Sequence, residues 1–153
     1  MPTIRRAEPR DTDELVGLRL AFLREWGNVR SDDEVAALAP AIRRFVVETM
    51  LTGRLAAWLA EEDGRAVGTA WLSLRDRPPL VGNLAGVEAY LVNVYTLPEH
   101  RRKGIASALL EQAVGFARQT NARCIRLHAV ETIAPLYARL GFARTGDEMT
   151  LAW

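Results

Sequence analysis

The chain has one cysteine, Cys124, and one lysine, Lys103, among its 153 residues. A single thiol closes no internal disulfide and gives no Cys-based metal site, so the fold has to be held by burial, and the reading is a reducing compartment with Cys124 as a small core filler. Net charge is nearly absent, twenty basic against nineteen acidic residues. No global field therefore recruits nucleic acid or an anionic membrane surface. No run of eighteen apolar residues occurs, and the opening Met1-Pro2-Thr3-Ile4-Arg5-Arg6 has no apolar stretch of the kind a secretory leader needs. These absences predict a cytoplasmic protein without membrane or nucleic-acid partners. The two histidines, His100 and His128, have no metal-ligand spacing, so no metal is expected.

What is present is an ordinary folding composition, 49% hydrophobic and 25% charged. It suits one domain over residues 1–153. Thr3 to Arg6 reads as a first strand. Asp11 and Glu14 stand at capping-box spacing before an amphipathic helix through Leu15, Leu18, Phe22 and Trp26. Ser31 and Glu34 repeat that spacing before a second periodic run from Val35 to Met50, with Gly53 as its stop. Leu55 to Ala60 and Ala66 to Leu74 read as strands joined by Asp63-Gly64, a strong two-residue hairpin signal. Arg75 to Gly86 reads as a loop. Val87 to Leu97 reads as a central strand ended by Pro98, followed by a helix with its apolar face on Ile105, Leu109, Leu110, Ala113, Phe116 and Ala117. Cys124 to Ala129 is expected as a strand, Pro135 to Leu140 as a short helix, and Phe142 to Trp153 as two closing strands around Gly146-Asp147. The class is α/β of the α+β type, with a largely antiparallel sheet and one local parallel pairing.

The chemistry concentrates where the central strand meets the long helix: Arg101-Arg102-Lys103-Gly104-Ile105-Ala106-Ser107. The first amides of a helix have no internal partner and its dipole is positive there, so a diphosphate can accept several backbone bonds. Gly104 and Ala106 permit close approach, and three cations add local charge. Read without context, the triplet is equally a solvated basic turn.

Arg101, Gly104 and Ala106 fill the pattern Arg or Gln, two residues, Gly, one residue, Gly or Ala. Leu136-Tyr137, three residues, Gly141-Phe142 follow downstream in the expected order. By these two motifs the sequence resembles the GNAT acetyltransferase superfamily. The resemblance implies a mixed, largely antiparallel sheet of about six to seven strands flanked by about four helices, and an acetyl-CoA-dependent N-acetyltransferase. It implies backbone contacts from Val94, Tyr95 and Thr96 to the pantetheine arm and a diphosphate cradle at Arg101, Arg102, Lys103, Gly104, Ile105, Ala106 and Ser107. Tyr137 would be the proton donor to the departing thiolate. A phenol stays protonated at neutral pH yet lies only modestly above a thiol, which makes proton sharing reasonable; otherwise Tyr137 is a buried aromatic with a structural partner.

The base is less well marked. Glu88, at the start of the central strand, is the nearest carboxylate and reads alternatively as an exposed strand-end residue. Val130 stands where the family often has an asparagine seven residues before the tyrosine, so positioning of coenzyme or acid differs there. The acceptor side is expected over the first two helices and the Arg75 to Gly86 loop, where Arg19, Glu25, Trp26, Asp32 and Asp33 lie. A carboxylate cluster would favour a cationic amine and an arginine a carboxylate-bearing one. The acceptor is a primary amine of a small molecule or of a peptide or protein. The alternative is a non-catalytic acyl-CoA sensor or interaction module. A phosphate-loop NTPase is disfavoured because the long glycine-flanked Lys-Ser/Thr loop is missing. Homodimers occur in this fold, and no segment here fixes such an interface.

Overall fold

The structure is a computed structural model describing residues 1–153. The chain runs β1 (Thr3–Arg6), α1 (Thr12–Glu25), α2 (Asp32–Leu51), β2 (Leu55–Glu62), β3 (Arg65–Asp76), β4 (Val87–Thr96), α3 (Ile105–Arg118), β5 (Ile125–Arg126) and α4 (Ala134–Arg139). The five strands lie in chain order in one sheet; the first three pairings are antiparallel and β4–β5 is parallel. The α+β class, the parallel pairing and the four helices agree with the sequence reading. The strand count is five rather than six to seven.

Alternation along β2, β3 and β4 splits the core into two layers. Ala56, Trp58, Ala70, Leu72, Ala89 and Leu91 face α3 and Tyr137. Leu55, Ala57, Leu59, Trp71 and Tyr95 face Leu15, Val16 and Leu18 of α1 and Ile42 and Val46 of α2. Asp63 and Gly64 both take positive φ, 50° and 74°, as a tight β2–β3 turn requires. Gly68 brings α3 onto the sheet: a Cβ there would stand 3.1 Å from Ile105 Cγ2 and 3.1 Å from the Tyr95 carbonyl oxygen.

The Ser31 cap forms, its Oγ accepting the Glu34 amide at 3.2 Å. The Asp11–Glu14 box does not. Asp11 instead accepts the Glu8 amide at 2.7 Å and both terminal nitrogens of Arg5 at 2.7 and 2.8 Å, because β1 presents that guanidinium directly to it. Helix α2 continues through Pro40, which removes one backbone donor without ending the helix.

Three expectations near the C-terminus are corrected. The strand expected over Cys124 to Ala129 shrinks to Ile125–Arg126, since β4 carries an extra residue at Val92 (Trp71 pairs Asn93 while Leu72 pairs Leu91) and leaves β5 behind. A two-residue β5 offers no ladder to a further strand, and Phe142 to Trp153 accordingly forms none. Cys124 is exposed, not a core residue. No helix is long and apolar enough to cross a membrane.

Candidate active site

The residues expected to hold the coenzyme sit between β4 and α3. Pro98–His100 forms a single 3-10 turn after β4, Arg102 takes φ 63°, and Gly104 caps α3 in the left-handed region at φ 78°. The first helical bond of α3 runs from Ala108 N to Gly104 O at 3.1 Å, which leaves the amides of Ile105, Ala106 and Ser107 without helical acceptors. No side chain caps this end and no acidic residue occupies its first turn. Nothing lies within 4 Å of a Cβ built on Gly104, so the approach to these amides is open.

The three cations are not equivalent. Arg101 turns back: its Nε donates to the Thr96 carbonyl at 2.9 Å and its Nη2 to Glu25 at 2.6 Å. Tyr95 Oη donates to the same Glu25 oxygen at 2.9 Å, tying the end of α1 to the end of β4. The Arg101 guanidinium holds the Glu25 carboxyl below the ordinary range. Lys103 lies 3.4 Å from Glu62, which also meets His100 Nδ1 at 2.5 Å. Arg102 forms no ion pair within the chain, which leaves its charge free beside the α3 amides.

The bulge at Val92 and the short β5 open the sheet beside these amides: β4 pairs with β5 only at Ala89 and Tyr90. Leu97 N donates to Val67 O at 2.9 Å, and alternation from that pair directs the Tyr95 backbone toward β3 and those of Val94 and Thr96 toward the open edge. Val94 thus keeps its main-chain groups, and Thr96 its amide, off the β3 ladder, the Thr96 carbonyl accepting Arg101 instead, whereas Tyr95 spends its own on the sheet. Thr96 Oγ1 is buried without a partner.

Tyr137 is 8% exposed on α4, edge-on to Phe142 at 5.8 Å. Its hydroxyl makes no hydrogen bond within the chain, and burial alone pushes its pKa up. Glu88 is 7% exposed, contrary to the exposed strand end considered above. Its Oε1 receives Arg77 Nη1 at 2.9 Å and Arg126 Nε, leaving Oε2 without a protein donor. His128 is gripped on both sides, its Nδ1 by the Tyr90 hydroxyl and its Nε2 by Glu148 at 2.9 Å.

On the other sheet face a cavity of about 310 Å³ opens between α1, α2, β3 and β4, lined by Leu38, Ala41, Ile42, Phe45, Trp71 and Val92 around Arg19. Arg19 Nη1 donates to Asn93 Oδ1 at 3.0 Å. Asp32 pairs with Arg24 at 2.6 Å instead. Asn93 escaped the sequence reading, although one amide inside an apolar central strand is the mark of a polar group buried for a reason. A larger cavity, about 410 Å³, lies against Ala117 and Arg118 at the far end of α3 from the free amides.

The fold around this helix start is shared with known proteins. The model of the Acetyltransferase (GNAT) family matches residues 13–142. The chain belongs to the GNAT acetyltransferase family. Among solved structures, a predicted acetyltransferase from Clostridium acetobutylicum, crystallised with acetyl-CoA, is 29% identical with a TM-score of 0.88, covering 99% of this chain and 96% of that one. A GCN5-related N-acetyltransferase from Ralstonia eutropha is 27% identical with a TM-score of 0.84, covering 99% of each. Human N-acetyltransferase 8 is 30% identical over 103 residues, 63% of this chain and 42% of its own. The mouse probable N-acetyltransferase family 8 member 5 is 28% identical over 131 residues, 83% of this chain and 56% of its own. The chain spans about half the length of these curated relatives.

Proposed function

We propose that the protein is an N-acetyltransferase that moves the acetyl group of acetyl-CoA to a primary amine by direct attack. The observation that carries the reading is the trio of free amides at Ile105, Ala106 and Ser107 beside an unpaired β4 edge. The residues fit the coenzyme: open space over left-handed Gly104 admits a diphosphate, Arg102 adds an unpaired cation, and Val94 and Thr96 offer strand-like groups to an amide-bearing arm. Bound there, acetyl-CoA supplies an acyl thioester.

The chain's own groups handle the protons. Tyr137, a phenol protonated at neutral pH and pushed further up by burial, and free of a protein partner, donates toward the leaving sulfur. Glu88 Oε2 accepts the amine proton through a chain of waters, because Glu88 lies four residues, about 13 Å along the strand, from the Val92 cavity wall, beyond the reach of a direct bond or a single bridging water. The acceptor enters from the Arg19 cavity, on the sheet face opposite α3.

Release of CoA thiol across an amine panel tests the reading. Tyr137→Phe should lower kcat about 10²- to 10⁴-fold while leaving acetyl-CoA affinity and thermal stability unchanged, since the lost hydroxyl had no partner. Glu88→Gln should cost less and shift the acid limb of the pH profile. Undiminished turnover in Tyr137→Phe removes the tyrosine from the mechanism. Acetyl-CoA binding without thiol release from any amine supports the alternative of an acyl-CoA sensor.

A further inference from the structure

The cavity on the α1–α2 side holds one cation and no anion. Arg19 is half-buried there, and no carboxylate comes close enough to oppose the desolvation that lowers its pKa. It forms no ion pair; its contacts are the Asn93 side-chain Oδ1 at 3.0 Å and the face of Phe22, 5.3 Å from the guanidinium carbon. Asn93 is 3% exposed, and its Nδ2 is buried without a hydrogen-bond partner. A guanidinium with no carboxylate partner among apolar walls is costly unless something accepts from it. Arg19 is the one polar residue of the lining; the other six are apolar, including Trp71 and Phe45, and Asn93 is not among them.

From this juxtaposition of Arg19, Asn93 and the apolar cavity we infer that the acceptor is a small amine bearing a free carboxylate and an apolar side group, of the kind an apolar α-amino acid represents. The inference rests on the acetyl-transfer reading and names the acceptor of that same site. A carboxylate is planar and takes two donors, which a guanidinium supplies in matching geometry. A simple cationic amine would meet only repulsion from Arg19. A volume of 310 Å³ is at the lower end of small-molecule sites and admits one amino acid with its side chain. The carboxylate on Arg19 and the apolar group against Trp71 together fix which end of the acceptor is left for the thioester.

The test compares phenylalanine, phenylalaninamide and phenethylamine as acceptors by thiol release, in wild type, Arg19→Gln and Arg19→Lys. Phenylalanine should exceed the other two in kcat/KM by about ten- to hundredfold. Arg19→Gln should remove that preference by slowing the acid alone, and Arg19→Lys should restore part of it. In parallel, 3-phenylpropionate, which has no amine to acetylate, should bind wild type in calorimetry without acetyl-CoA and should not bind Arg19→Gln. Equal use of phenethylamine and phenylalanine by wild type, or an Arg19→Gln preference unchanged from wild type, overturns the inference while acetyl transfer stands. If 3-phenylpropionate binds through Arg19 but no amine releases thiol, the carboxylate site stands and the transfer reading falls.

Discussion

Glu25 lies 76 residues before Arg101 and contributes nothing to the helix start, yet replacing it should weaken acetyl-CoA binding. Arg101 reaches Glu25 at 2.6 Å and the Thr96 carbonyl at 2.9 Å, so it braces the loop from behind. Both partners of the pair are more than one-third exposed, 41% and 34%, so the ion pair is screened and contributes only about 0.2 to 1 kcal/mol. Glu25→Gln keeps an acceptor for Tyr95 and removes only the charge; it should weaken acetyl-CoA binding about two- to threefold. Arg101→Gln also loses the bond to Thr96, about 1 kcal/mol more, for a total of about ten- to fifteenfold. In a calorimetric double-mutant cycle the pair should be non-additive, the double variant binding as Arg101→Gln does within about 0.3 kcal/mol. A loss well beyond fifteenfold in Arg101→Gln with Glu25→Gln neutral and the two additive would refute the bracing role and put Arg101 on the diphosphate itself.

Two glycines should respond oppositely in urea unfolding. Gly68→Val, whose Cβ meets the Tyr95 carbonyl and Ile105 Cγ2 at 3.1 Å, should cost about 1 to 3 kcal/mol; Gly17→Ala, on α1 with nothing within 4 Å, should gain about 0.5 to 1 kcal/mol. Equal effects at the two sites contradict the packing of α3. The Arg5 guanidinium depresses the buried Asp11 carboxyl to about 2. A depressed carboxyl stabilises fully above its unfolded value near 3.8 and loses that contribution as pH falls through about 2. Asp11→Asn should therefore be about 2 kcal/mol less stable than wild type at pH 6, the gap closing between about pH 4 and pH 2. A gap that does not vary with pH dismisses the ion pair.

The helices and the β2–β4 meander were legible because their apolar periods and the Asp63-Gly64 turn act locally. The motif around Arg101 to Ser107 was legible for the same reason: free amides and a left-handed glycine are properties of one strand-to-helix turn. What a side chain does across the fold was not. Asp11 has capping spacing to Glu14, but a guanidinium on β1 outbids the helix amides for it. Arg101 reads as a phosphate ligand until Glu25 is brought beside it, and Glu88 reads as exposed until Arg77 and Arg126 close over it. The closing strands failed because strand patterning states a capacity to pair, while the bulge at Val92 shortens β5 and removes the edge they needed. Asn93 and Gly68 carried signals that could have been used, a polar residue and a glycine inside apolar strands, each marking a close approach.

Titration of wild type, Arg102→Gln and Gly104→Val with acetyl-CoA tests the central claim most directly. Gly104→Val both strains a left-handed position and fills the open space over the Ile105 to Ser107 amides. The account predicts saturable binding to wild type, a moderate loss in Arg102→Gln and a loss of at least about tenfold in Gly104→Val at unchanged folded content. Wild-type affinity in Gly104→Val, or no heat with acetyl-CoA in folded wild type, would contradict it.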